Sequence, residues 1–347
     1  MNPATLIPVP DPLPIPYGWF DVLLIVTFTV HIILMNALVG SAAIGLVRSF
    51  KGKSQLAKDI GQKLPPLLAL TINLGVAPLL FLQVNYGHFD YVSSVLMGGW
   101  WLAIIGALLF SYYGFYFYKF RFESLSLSWR RLIFGSSLAG LLFTGFMLTN
   151  NISLMLVPNN WLQYFSGQGG FLNLADPTLI PRYLHFMVGA VAVGGLWVAL
   201  LGQMRKEDEY VESGMKWLTH ATIANLAVGL WFLMAQPREI LLAFMGGNVP
   251  ATATLAASLG AAGMLLFSGF RKNPRSAAVW AVITVFLMAC ARHWQRVLMV
   301  SPWKEMDAIP VTHQYGSFYL FLGFLVGGLA LIAYMVKLYF KARTGRA

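Results

Sequence analysis

The chain has 347 residues, 58% of them hydrophobic and 11% charged, with a mean hydropathy of +0.66. Apolar runs of membrane-spanning length recur from end to end, which excludes a soluble globular domain and a disordered chain and implies an all-α, polytopic transmembrane bundle. A net charge of +11 would suit a nucleic-acid binder, but the placement of the basic residues excludes that reading.

Nine spans are predicted, at roughly 18 to 47, 64 to 84, 94 to 118, 132 to 149, 181 to 203, 217 to 235, 250 to 270, 276 to 294 and 315 to 340, within one transmembrane domain covering 1–347. The lead-in "MNPATLIPVPDPLPIPYGWF" holds no Lys or Arg and is rich in proline, so no cleavable leader is expected and residues 1–17 form an extracytoplasmic segment. The connections "RSFKGKSQLAKDIGQK", "YKFRFESLSLSWRR", "MRKEDEYVESGMK", "FRKNPRS" and the tail "KLYFKARTGRA" alternate along the chain and carry 19 of the 24 Lys and Arg. The other side has only Arg182, Arg238, Arg292, Arg296 and Lys304. By the positive-inside rule the N-terminus lies outside and the C-terminus inside. The basic charge is therefore topology. Residues 150–181 form the longest outer connection and the best place for a folded surface segment or a partner contact.

All thirteen acidic residues fall in tails, connections or the first turns of spans, so no carboxylate is expected near the bilayer centre. Ion pumps and symporters usually need one there, which counts against them. Histidines are the ionisable groups left inside. His31 lies in mid-span in "TFTVHIILMNALVG", with no acid a turn away. In "LADPTLIPRYLHFMVGAVAVGGLW", Arg182 and His185 share a helix face one turn below the outer surface. In "ACARHWQRVLM", Arg292 and Arg296 flank His293 at a matching depth. His220 sits a turn from the inner surface beside Lys216.

A neutral imidazole can hold haem iron from a helix without burying net charge, and an arginine above it can pair a propionate. The competing reading of the Arg/His groups is an interfacial cluster reaching for headgroups, and His220 suits either role. His88 and His313 read as solvated loop residues. Arg238 and Glu239 in "AQPREIL" are the charged pair ending the sixth span, either a quinone contact or a lipid-facing cap. The small-residue runs "GSAAIG", "GAVAVGG" and "SLGAAG" permit close helix approach or make room for a flat macrocycle. Cys290 is the sole cysteine, so the chain forms no internal disulfide and has no CxxCH for covalent haem.

These residues resemble subunit I of the cytochrome bd quinol oxidases, whose nine spans carry one haem-ligating histidine in the first span and another near the outer end of the fifth. His31 and His185 take those places. "INLGVAPLLFLQVNYGHFDYVSSVLMGGWWLAIIG" is similar to that family's second span, outer loop and start of the third, and "GFMLTNNISLMLVPNNW" to the end of its fourth. The chain departs from the pattern where oxygen is reduced. "MGGWWLAIIGALLFSYYGF" and "FLMACA" lack the expected glutamates, and "NVPATATLAASLGAAGMLLF" has no clear axial methionine, Met264 lying deeper.

The resemblance thus implies a divergent, b-type membrane subunit that does not itself reduce oxygen. Two haems b are expected, the outer one held by His185 and His293, with Arg182, Arg292 and Arg296 at the propionates. The implied setting is the bacterial cytoplasmic membrane, with electrons passing between the quinone pool and a periplasmic c-type cytochrome, single- or multihaem, in either direction. The alternatives are a haem-free, quinone-binding or scaffolding anchor of a larger complex, and a transporter of a neutral solute.

Overall fold

The computed structural model describes residues 2–52, 54–166, 172–303 and 308–343. Lys304, Glu305 and Asp307 lie outside the described residues. Among the described residues nine helices are long and apolar enough to cross a membrane, the number read from hydropathy.

In chain order the helices are α1 (Tyr17–Phe50), α2 (Ser54–Gly61), α3 (Leu64–Met97), α4 (Gly99–Arg121), α5 (Leu127–Leu156), α6 (Leu179–Arg205), α7 (Asp208–Met234), α8 (Arg238–Leu242), α9 (Val249–Phe270), α10 (Pro274–Val300) and α11 (Tyr315–Arg343). Their starts follow local chemistry. Ser126, Asn248 and Asn273 accept from the backbone N–H groups of Trp129, Ala251 and Ser276, and Pro250 and Pro274 sit in first turns where no N–H is missed. α2 and α8 are short helices in connections, and α2 is amphipathic. Its Asp59 is ion-paired with Arg205 and accepts from Tyr210 Oη at 3.1 Å, tying α2 to the α6–α7 turn.

The small-residue runs divide in use. α1 and α6 cross where Gly40 meets Gly194, so close that a Cβ on either would strike the other helix's backbone. α6 and α7 approach the same way, and a Cβ on Gly195 would lie 2.7 Å from the Gly214 carbonyl oxygen. Here glycine buys backbone contact that a bilayer does not otherwise drive. Gly260 and Gly263 of "SLGAAG" meet nothing within 4 Å.

Among the boundaries that differ from the hydropathy reading, two change how polar residues are read. α3 runs to Met97, through a non-helical Tyr86 at φ −125°, so the stretch read as a loop around His88 is helix. Its polar residues face inward: Asp90 accepts from Asn151 Nδ2 at 2.8 Å, and His88 is buried with its ring 4.4 Å from that of Phe89. The solvated-loop reading of His88 is thereby corrected. A burst of polar residues ended the apolar run in sequence, but they face a polar partner helix, α5, and need not leave the helix. α5 likewise continues to Leu156, into the stretch read as the outer connection. Beyond it Pro158–Ser166 forms 3₁₀ turns that bury Trp161, whose Nε1 donates to the Leu154 carbonyl at 2.8 Å.

The N-terminal lead-in is also pinned. Leu13 N donates to the Pro310 carbonyl and Thr312 N to the Leu13 carbonyl, each at 2.8 Å, joining the segment before α1 to the one before α11. α11 packs through Phe318 near Ile15 and Phe20 and is exposed along most of its apolar length, as a lipid-facing helix can be.

Candidate functional site

α1, α6, α7, α9 and α10 enclose a cavity of about 300 Å³. Its walls are mostly apolar, with Phe28, Ile32, Phe186, Leu255 and Leu265 among them. Leu230 on α7 and Leu259 on α9 line it and are exposed, so the cavity is open between those two helices. An apolar cavity with a few converging polar groups is the usual form of a small-molecule site.

The polar groups gather toward one end. α6 begins at Leu179, and helical spacing sets Arg182 and His185 on one face, both in the cavity wall. The Nδ1 of His185 is buried and meets no full hydrogen bond, while the backbone of Asn225 on α7 interacts with the ring. That edge of the ring rests against Gly229, where a Cβ would lie 3.1 Å from Cε1 and 3.2 Å from Nδ1. Phe232, one turn along α7, lies nearly parallel to the imidazole at 22°. Glycine at 229 therefore makes the room the imidazole occupies.

Arg182 is buried, with its guanidinium 5.0 Å from the Phe232 ring centroid and its Nη1 donating to Gln295 Oε1 at 3.5 Å. Gln295 Nε2 donates in turn to Gln236 Oε1 at 2.7 Å. This chain of contacts joins α6, α10 and the end of α7. Arg292 projects between the rings of Phe28 and Phe186, 4.6 and 5.5 Å from their centroids. No carboxylate lines the cavity among the described residues. Asp176 attracts Arg182 from outside the wall, whereas Arg292 has other arginines as its charged neighbours, so two guanidiniums against one acid favour an anionic group here. Deeper in the same wall, the Oδ1 atoms of Asn36 and Asn225 are buried without hydrogen-bond partners.

The structure separates the other sequence candidates. His293 is outside the cavity wall, its Nδ1 3.6 Å from Asp21 Oδ1, and Tyr86 Oη donates to the same carboxylate at 3.5 Å. Arg296 lies over the Tyr86 ring at 4.7 Å, facing that cluster and not the cavity. His31 turns to α3, where its Nδ1 donates to the Thr71 carbonyl at 3.0 Å and its ring fills the space above Gly75. This leaves Nε2 as its free nitrogen, the arrangement a ligating imidazole commonly has.

His220 is exposed and hydrogen-bonded within its own helix to the Lys216 carbonyl at 2.7 Å. Arg238 and Glu239 are exposed at the start of α8, off the cavity, while Gln236 just before them lines it. His313 is exposed, with a left-handed backbone at φ 58°.

Sequence reasoning missed Gln236, Gln295, Asn36, Asn225 and the Asp21–Tyr86 pair. Asn36 and Asn225 had a signal, being amides well inside apolar spans. Gln295 follows Arg292 by one turn and could have been added to its face. Nothing in the sequence joins Asp21 to Tyr86.

Among the described residues no three His, Cys, Asp or Glu side chains are grouped to hold a metal ion. A haem asks less of the protein, because the macrocycle supplies four of the ligands and the chain one or two. No protein-family model matches the chain, and no curated protein or solved structure is significantly similar to it.

Proposed function

We propose that this chain is a haem b membrane subunit of a respiratory electron-transfer complex, exchanging electrons between the quinone pool and a c-type cytochrome on the side of the N-terminus. The observation that carries the reading is His185 in the wall of an apolar cavity that no carboxylate lines, beside the buried guanidiniums of Arg182 and Arg292. The residues fit a haem on two counts. The imidazole, seated against Gly229 by its Nδ1 edge, keeps Nε2 for the cavity, and Arg182 would take a propionate. Bound there, haem b supplies reversible one-electron transfer.

The chain's own residues do the rest. The Arg182–Gln295–Gln236 contacts hold three helices together at the cavity's end, and Phe28, Phe186 and Phe232 set the guanidiniums and the imidazole in place. The apolar wall keeps water out and so favours electron exchange without ligand hydrolysis or proton leakage. A second haem, at the α1–α3 face, would use His31, whose ring is already oriented by the Thr71 carbonyl.

A pyridine haemochrome spectrum of the purified protein tests the reading. Haem b at one or two equivalents is expected, and its absence removes the proposal. A haem-free quinone-binding anchor is the second reading. It is favoured by the unpartnered amide oxygens of Asn36 and Asn225, which could accept from a quinol's hydroxyl groups, and by the opening past Leu230 and Leu259. It predicts no Soret absorption and saturable quinone binding.

A further inference from the structure

The four histidines proposed as iron ligands occupy four different surroundings, and one of them faces the cavity. His293 is turned to Asp21, His31 to Thr71, and His220 to the outside of the bundle. The cavity therefore presents one imidazole, and what stands across from it decides the coordination of anything held there.

Two contacts fix how α6 and α10 are aligned. Arg182 meets Gln295 at 3.5 Å, and Phe186 lies 5.5 Å from the Arg292 guanidinium, so the helices run antiparallel with Arg292 at the height of His185. Phe28 on α1 stands at that height too, 4.6 Å from the same guanidinium. Neither phenylalanine nor arginine ligates iron. The other potential ligand atom in the wall is the thioether of Met288, one turn further in, about 6 Å deeper. Because helical side chains lean toward their own N-terminus, His185 leans to the cationic end and Met288 leans away from it. The Nδ1 edge of His185 is set against Gly229 on α7, so Nε2 is the nitrogen left for the cavity.

We infer that, among the described residues, His185 is the one side chain of this cavity that would coordinate a haem, and that Arg292 would face a small anion or diatomic molecule bound beside it. The inference rests on the haem reading above and replaces the bis-histidine pairing of His185 with His293. Azide and cyanide are the chemical class the site would take in the ferric state, with a charge-assisted hydrogen bond from the Arg292 guanidinium. Carbon monoxide is the corresponding ferrous ligand.

Electronic absorption and electron paramagnetic resonance of the purified full-length protein, titrated with azide and then reduced under carbon monoxide, test this. The expected result is a high-spin ferric component that binds both ligands, is lost in His185→Gly and returns when imidazole is added. It is unchanged in His293→Ala and Met288→Leu, and Arg292→Gln weakens azide binding by about tenfold. Low-spin haem alone, closed to carbon monoxide, overturns the inference, as does a low-spin signal that becomes high-spin in Met288→Leu or His293→Ala. A protein without haem removes the functional reading as well, so the two failures are distinguishable.

Discussion

Asp21 and His293 face each other at 3.6 Å across the interface of α1 and α10, with Tyr86 donating to the same carboxylate and Arg296 stacked on the Tyr86 ring. The buried acid is the one carboxylate this cluster offers to a buried arginine, so it ties the two helices electrostatically. Asp21→Asn is expected to destabilise the protein by about 3 kcal/mol, because Arg296 is left without a counter-charge in a dry site. Adding Arg296→Gln should recover part of the loss. Thermal unfolding of the detergent-purified variants measures both, and equal stability of Asp21→Asn and wild type would show that the cluster carries no net charge coupling.

Gly229 bounds the space of the His185 imidazole. Gly229→Leu places carbon where the ring's Cε1 and Nδ1 now stand, 3.1 and 3.2 Å from even a Cβ. The expected outcome is a folded protein that has lost the cavity's haem and kept the one at His31. Haem stoichiometry and circular dichroism together check it, and full haem content would show that the ring can move aside.

Arg182 is buried against Phe232 and bonded to Gln295. Arg182→Gln keeps a donor for Gln295 and removes the charge, so the fold should survive while haem dissociates about tenfold faster, the loss of one charge-assisted pair. Transfer of haem to an apo-globin acceptor gives the rate. An unchanged rate would show that the guanidinium braces the helices through Gln295 without holding the haem.

The Gly40–Gly194 crossing leaves no room for a side chain. Gly194→Leu should force α1 and α6 apart and lower stability by about 3 kcal/mol, above the usual cost of overpacking because the obstacle is backbone. Gly260→Leu, at a glycine with nothing within 4 Å, is the matched control and should be neutral. Comparing the unfolding temperatures of the two variants separates close packing from a general aversion to leucine.

Helix number and type were legible because a bilayer imposes length and apolarity on each span, and all nine show it without help from neighbours. The ends were less legible. Around His88 and Asp90 polarity reads as exposure, whereas the helix continues because Asn151 on α5 receives the acid. Local sequence cannot report a partner 61 residues away.

The same split runs through the site. Arg182 and His185 share a face by helical spacing alone, so the sequence by itself determined that an imidazole and a guanidinium would point the same way, just inside one end of a span. It also determined that nine apolar helices would need one another or lipid, because each is too hydrophobic to stand in water. Only the tertiary structure decided which histidine faces a cavity, since His31, His185, His220 and His293 all lie within spans and differ in the helix that packs beside each. The physical reason is rotation about the helix axis: close glycine contacts between α1, α6 and α7 fix how α6 is turned and so direct His185 inward, while on α10 His293 meets Asp21.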